Sequence, residues 1–266
     1  MTTRITPLRL ESFEQLPKHA RRCTYWEVDP STLPGEDHLA DPEFEKEAWL
    51  SMVMLEWGSC GQVAVRARGD DDRPGEEPSD DEPCLGYVFY APPRSVPRAA
   101  RFPTGPVSAD AILLTTLGIE AGQDTEGLTR TLITAVIGDL VRRGVRALEA
   151  FGRTAEVEEL EAPATVPDEV RPVLAVLGEC TVGHCVLASD LLLDAGFEVV
   201  SHHRYFPRLR LELEQGLGWK AGVEAALERL LLSAQLEQPV GAGQGAALSC
   251  GEPARRPVRG PAVPRT

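Results

Sequence analysis

The chain has 266 residues, 42% of them hydrophobic, enough for one sizeable core with appendages. With 41 acidic against 27 basic side chains its net charge is −14, which argues against non-specific binding to nucleic acid or anionic lipid and favours cationic partners, amines among them. No apolar run approaches the roughly 20 residues that span a bilayer. The opening Met1-Thr-Thr-Arg-Ile-Thr-Pro7 lacks the apolar region of an export signal, so a cytoplasmic protein with reduced cysteines is expected.

In chain order, Ile5 to Leu10 reads as a first strand and Ser12 to Tyr25 as a first helix. The helix ends in Tyr25-Trp26-Glu27-Val28-Asp29, where aromatics flank acids. Trp26 either packs at the helix end or helps to form a cation-accepting wall. Glu43 to Trp57 is a second helix, and Gln62 to Arg68 and Leu85 to Tyr90 are strands. Between these strands the acidic run 70–83, with Asp70-Asp71-Asp72, Glu76-Glu77 and Asp80-Asp81-Glu82, reads as a solvated loop insert. The connection from Ala91 to Pro106 carries five prolines and is long for a hairpin. Its Arg94, Arg98 and Arg101 face solvent by default, and otherwise the acidic insert or a ligand phosphate.

The most informative stretch follows. Ala111 to Ile119 is a buried strand, Glu120 to Glu126 a polar turn, and an amphipathic helix then places Leu128, Leu132, Ile133, Val136, Ile137, Leu140 and Val141 on one side. Arg142 and Arg143 occupy its last turn, Gly144 stops it, and Val145 to Phe151 is a second apolar strand. Two strands joined by a helix make a right-handed parallel unit, and the start of such a helix can hold an anion. The acidic segment Glu156 to Glu169 reads as loop, Ala188 to Val200 as a helix running through Gly196-Phe197 into a strand, and Arg208 to Leu213 as the closing strand. Residues 214–237 hold an amphipathic helix, Trp219 to Leu236, whose apolar face must cover its own domain or a partner subunit, so monomer and homodimer both stay open. Residues 238–266, rich in Pro, Gly, Ala and Arg, read as a disordered tail.

Two patches carry a resemblance. Five residues after Ile119 begins Asp124-Thr125-Glu126-Gly127-Leu128-Thr129, which resembles the acyl-CoA-binding motif R/Q-x-x-G-x-G/A of the GNAT superfamily of N-acetyltransferases. Gly127 matches, whereas Asp124 and Thr129 depart from the motif. The helix into Gly196-Phe197 is similar to the fourth helix and sixth strand of that family, with Leu192 where a tyrosine acid is frequent. Over residues 1–213 the resemblance implies an α+β fold: a mixed, mostly antiparallel central sheet flanked by helices, with one parallel strand–helix–strand unit. It also implies an acyl-CoA-dependent N-acyltransferase that passes an acyl group from acetyl-CoA to a small-molecule or protein amine.

Carried over by position, the resemblance puts Leu117, Gly118 and Ile119 beside the pantetheine. It puts Asp124, Thr125, Gly127, Leu128 and Thr129 around the phosphates, with Arg130 adding positive charge. Asp124 and Glu126 set carboxylates where a pyrophosphate would arrive, and Asp124 equally reads as the helix N-cap. These departures keep a second reading open, a noncatalytic CoA-binding or protein-interaction module on the same fold. The nominated bases are Glu27, Glu120 and Asp110, and the nominated acid is Tyr205 in His202-His203-Arg204-Tyr205. Cys180, His184 and Cys185, with His202 and His203 beyond them, lack the paired spacing of a zinc site, so no metal is expected.

Overall fold

A computed structural model describes residues 3–33, 40–66, 83–123, 125–161, 166–178 and 180–213. Most of the acidic insert, Asp124, and the segments expected to be a terminal helix and a disordered tail lie outside the described residues. The first strand, β1 (Thr3–Pro7), starts earlier than the sequence predicts. The first helix is broken: a 3-10 turn (Leu10–Gln15) and α1 (Lys18–Arg22) are separated at Pro17, which cannot donate to a helical ladder. The second helix, α2 (Pro42–Glu56), starts where expected because Asp41 accepts from the Glu43 and Phe44 N–H groups and Pro42 takes the first helical position.

The remaining strands are β2 (Gly61–Arg66), β3 (Cys84–Ala91), β4 (Ala111–Ile119), β5 (Ala147–Arg153), β6 (Leu187–Ala188), β7 (Glu198–Ser201) and β8 (Arg208–Glu212). The sheet order is β1-β2-β3-β4-β5-β8-β7, and β6 pairs β5 off that path. The β4–β5 and β5–β6 pairs are parallel and every other pair is antiparallel. The long helix α3 (Thr125–Arg142) makes the crossover from β4 to β5. Short helices α4 (Arg171–Leu174), α5 (Val182–Cys185) and α6 (Ser189–Asp194) follow. This is the mixed, mostly antiparallel α+β architecture that the resemblance implies.

The alternation of strand side chains supplies two cores, one on each face of the sheet. On one face Leu8, Tyr25, Trp26, Leu50, Tyr87, Phe89, Phe151 and Phe206 pack with α1 and α2. On the other, Leu128, Leu132, Ile133, Val136 and Leu140 of α3 meet Val88, Leu114, Leu148 and Leu192. Each such fully buried side chain contributes about 1.5–3 kcal/mol. The periodic stripe of α3 ends one position early. Val141 is exposed, while Asp139 is buried to accept a 2.8 Å hydrogen bond from the Tyr90 hydroxyl and to pair with Arg143 at 2.8 Å.

Two stretches read as loop are more ordered than expected. Residues Ala155–Glu161 form 3-10 structure. The proline-rich connection forms two 3-10 turns and carries Arg98 into the core, where its guanidinium lies 4.4 Å over the Tyr25 ring and donates to the Ala175 carbonyl. Arg101 bonds the Asp29 carboxylate at 2.5 Å. Solvent as the default is therefore corrected for Arg98, which takes a cation–π seat, and for Arg101, which takes a carboxylate, while Arg94 is exposed as expected. Among the described residues no helix is long and apolar enough to cross a membrane.

Candidate functional site

The site is built by a defect in β4. Opposite β3 the register runs Val88↔Leu117 and then Tyr90↔Leu114, so Thr115 and Thr116 together face the single residue Phe89. That is a β-bulge, which bends a strand and raises its local twist. Thr115 turns its hydroxyl back to the Phe89 carbonyl at 3.1 Å, satisfying the irregular ladder from within. Beyond the bulge β4 leaves β5. The two strands pair only over Ala111–Leu113 and Ala147–Glu149; β8 lies along the other edge of β5 from Ala147 on, and Gly152 and Arg153 pair with β6 instead of β4. The stretch Leu114–Ile119 keeps β3 on one side and, among the described residues, has no strand partner on the other.

Short elements line this opening. Gly152 lets the start of α6 approach, since a Cβ there would lie 2.5 Å from the Ser189 hydroxyl and 2.9 Å from Leu209. The Arg153 Nε–H donates to the Val186 carbonyl at 3.1 Å and ties α5 and β6 to the end of β5. Both α5 and β6 also touch β4. Across β3, Gly118 lies under the Tyr87 ring, whose atoms would come within 2.5–2.7 Å of an added Cβ.

On the α3 side of the sheet a groove of about 970 Å³ runs between α3 and α6. Thr125, Glu126, Thr129, Arg130, Ile133 and Thr134 form one wall, with Leu191, Asp194 and Ala195 opposite. Thr129, on the α3 wall, is buried, and among the described residues its enclosed hydroxyl oxygen has no hydrogen-bond partner. Glu126 is exposed and sits 3.4 Å from Arg130 one turn on, which offsets its charge. Gly127 is exposed and Leu128 buried.

The nominated catalytic residues are not gathered together. Glu120 is exposed where β4 ends, its N–H continuing the ladder to the Leu85 carbonyl at 2.9 Å. Tyr205 is buried in the β7–β8 turn, 5.9 Å from the His203 ring and under the Arg204 guanidinium. Glu27 is buried on the α1–α2 face and bonded to the equally buried Lys46 at 2.5 Å, with its second carboxylate oxygen unpartnered. Burial raises the Glu27 pKa, and the Lys46 charge opposes that rise. Lys46 also sits 4.5 Å over the Phe89 ring, on the strand position opposite the bulge. Leu192 is fully buried. No hydrogen bond or ion pair among the described residues joins Glu27, Glu120 and Tyr205 to one another.

Asp110 is engaged elsewhere. It accepts from Arg210 at 3.0 and 3.1 Å, and those bonds lower its pKa. Sequence reasoning missed the centre of this network, Glu149. That residue is 0% exposed on β5 and bonds Arg208 at 2.7 Å, Arg210 at 3.1 Å and the Ser108 N–H at 3.1 Å. Burial pushes its carboxyl upward, but the hydrogen bonds outweigh that push and hold it below the usual carboxylate range. A lone acid inside an apolar strand, facing an Arg-Leu-Arg strand, was the available signal.

No protein-family model matches the sequence, and no curated protein does. Among solved structures the chain is similar to a PaiA N-acetyltransferase from Thermoplasma acidophilum in complex with coenzyme A, at 11% identity and TM-score 0.42 over 80% of this chain and 99% of that chain. It is similar at 14% identity and TM-score 0.42 to a GNAT superfamily phosphinothricin acetyltransferase from Sinorhizobium meliloti in complex with AcCoA, over 80% and 89% of the two chains. An N-acetyltransferase from Staphylococcus aureus Mu50 follows at 12% identity and TM-score 0.41, over 80% and 99%. Overlap at this level concerns the path of the chain, not its substrates.

Proposed function

We propose that this protein is an acyl-CoA-dependent N-acyltransferase, with acetyl-CoA as donor and an amine as acceptor. The observation that carries this reading is the Thr115–Thr116 bulge, beyond which the far edge of β4 has no partner strand among the described residues, while α3, the helix that follows β4, walls a groove with α6. An unpaired strand edge can take an extended polar chain as it would take another strand. The pantetheine arm, with its amides, is such a chain, and Leu117, Gly118 and Ile119 are the residues it would follow. Its phosphates would meet the first turn of α3, around Asp124, Thr125, Gly127, Leu128 and Thr129, where the helix dipole favours an anion and Arg130 adds charge.

With Asp110 engaged by Arg210, this direction of travel separates the other two nominated carboxylates. From Ile119 back to the bulge is three residues, roughly 10 Å at strand rise. Glu120 therefore belongs to the phosphate end. Glu27, linked through Lys46 to Phe89, belongs to the thioester end and is the better base. In the reaction the amine lone pair forms the C–N bond, the thioester C–S bond breaks, and CoA leaves as thiolate. The ammonium proton passes to the base, directly or through water. Leu192 offers no proton to the thiolate, which leaves Tyr205 as the nominated acid. One observation favours the second reading, a protein that binds CoA without turnover: aromatic rings and the Glu27–Lys46 pair fill the α1–α2 face.

Calorimetry with acetyl-CoA, followed by assay of CoA thiol release against an amine panel, tests the proposal. Micromolar binding, with release for at least one amine that Glu27→Gln abolishes, is expected. Binding without release for any amine moves the conclusion to the noncatalytic protein. No binding at millimolar acetyl-CoA would sink both.

A further inference from the structure

The short helix α1 places His19 and Cys23 four residues apart, on one face. The Cys23 sulfur lies 3.4 Å from that of Cys185, 162 residues later in the chain. The donor atoms of His19, Cys23 and Cys185 all lie within 4.8 Å of one another. The buried Cys180 thiol interacts with the Cys185 and Cys23 thiols from just outside this three-residue group, near enough to supply a fourth donor. The His19 Nε2 atom is buried and has no hydrogen-bond partner. All three cysteines are buried and free.

A thiol cluster alone explains the sulfur contacts and leaves the His19 nitrogen orphaned. A Cys23–Cys185 disulfide leaves both that nitrogen and the Cys180 thiol unexplained. A tetrahedral zinc ion takes sulfur at about 2.3 Å and imidazole nitrogen at about 2.0–2.1 Å, so its donors lie roughly 3.5–3.8 Å apart. The 3.4 Å sulfur pair and the 4.8 Å envelope come within about an ångström of that spacing. Three sulfurs and one imidazole make a donor set that suits zinc over magnesium or calcium.

We infer that His19, Cys23, Cys180 and Cys185 form a structural zinc site that clamps α1 to the segment carrying α5 and β6. Outer contacts hold the ligands in place. The Trp26 indole N–H donates to the Cys185 carbonyl at 2.8 Å, and the His184 ring lies edge-on to His19 at 5.8 Å. The metal fastens the stretch that lies beside the free edge of β4, and its binding releases the thiol protons. The site stands whether or not the protein transfers acyl groups.

The test is metal analysis of the full chain purified without chelators from zinc-supplemented culture, then removal of the metal and titration with cobalt. About one zinc per chain is expected, with tetrahedral cobalt bands and sulfur-to-cobalt charge transfer. Cys23→Ser, Cys180→Ser and Cys185→Ser should each weaken zinc binding by more than about 100-fold, beyond what loss of an outer contact costs. Cys60→Ser and Cys84→Ser keep the full equivalent. If the ligand variants do not fold, the wild-type cobalt spectrum decides. A metal-free wild type that shows no charge-transfer band with cobalt overturns the site, whether its thiols are free or joined as a Cys23–Cys185 disulfide.

Discussion

The two ends of the β4–β5 pair behave in opposite ways. At the first end the strands are in register, and Glu149 on β5 is bonded to two arginines of β8 and to the Ser108 N–H. At the second end a bulge bends β4, and its Leu114–Ile119 stretch has no partner strand on the β5 side among the described residues. A closed ladder with satisfied charges resists opening, whereas an interrupted one leaves backbone groups that a ligand can use. One pair of strands thus supplies both the anchor and the opening.

The anchor breaks most expensively. Glu149→Ala takes from Arg208 its carboxylate partner and leaves a hole, while Arg210 keeps Asp110 and Glu212, and should cost about 3–5 kcal/mol in urea unfolding. A loss below about 1 kcal/mol would show that the network is ornamental. Next comes Gly118→Ala on the open half of β4. It drives a methyl into the Tyr87 ring and should cost about 1–3 kcal/mol. Tyr87→Leu in the same chain should recover much of that loss, and simple additivity of the two substitutions would refute the clash.

The groove itself should respond in binding, not in stability. Thr134 is exposed on its wall and, among the described residues, its hydroxyl bonds the Arg130 carbonyl of its own helix. Thr134→Trp should therefore weaken acetyl-CoA at least tenfold, about 1.4 kcal/mol, while unfolding changes by under about 0.5 kcal/mol. Unaltered affinity would remove the groove from the proposal.

The smallest effect is in pH. Because the folded Glu149 carboxyl titrates below its ordinary value of about 4.3, its contribution is fully present above that value. It is lost as pH falls through the lowered folded value. Melting of wild type against Glu149→Gln should show a gap that narrows on acidification over this range. A gap independent of pH would mean that Glu149 is not ionised in the fold.

Much of the fold was legible beforehand because its signals are local. The limits of β4 were readable from composition alone, and α3 and the turn at Gly196 from spacing. The break at Pro17 was also local and should have been read, since proline removes a helical donor. The site was legible only in outline. The bulge left one faint trace, two threonines inside an otherwise aliphatic strand. Glu149 left another, a single acid among apolar residues. Arg98 left none, because nothing in Pro97-Arg98-Ala99 announces an aromatic ring waiting 73 residues upstream.

The sequence by itself determined most of the strands, the second helix, the parallel unit around α3, and the resemblance that names a chemistry. Periodicity and turn residues act within a few positions, so they can be read without a partner. Only the tertiary structure decided that β4 and β5 part company, that Glu27 is held by Lys46, and that Cys23 meets Cys185. Those are meetings between residues up to 162 positions apart. What brings them together is the burial of two sheet faces at once, a property of the packed chain and of no single segment.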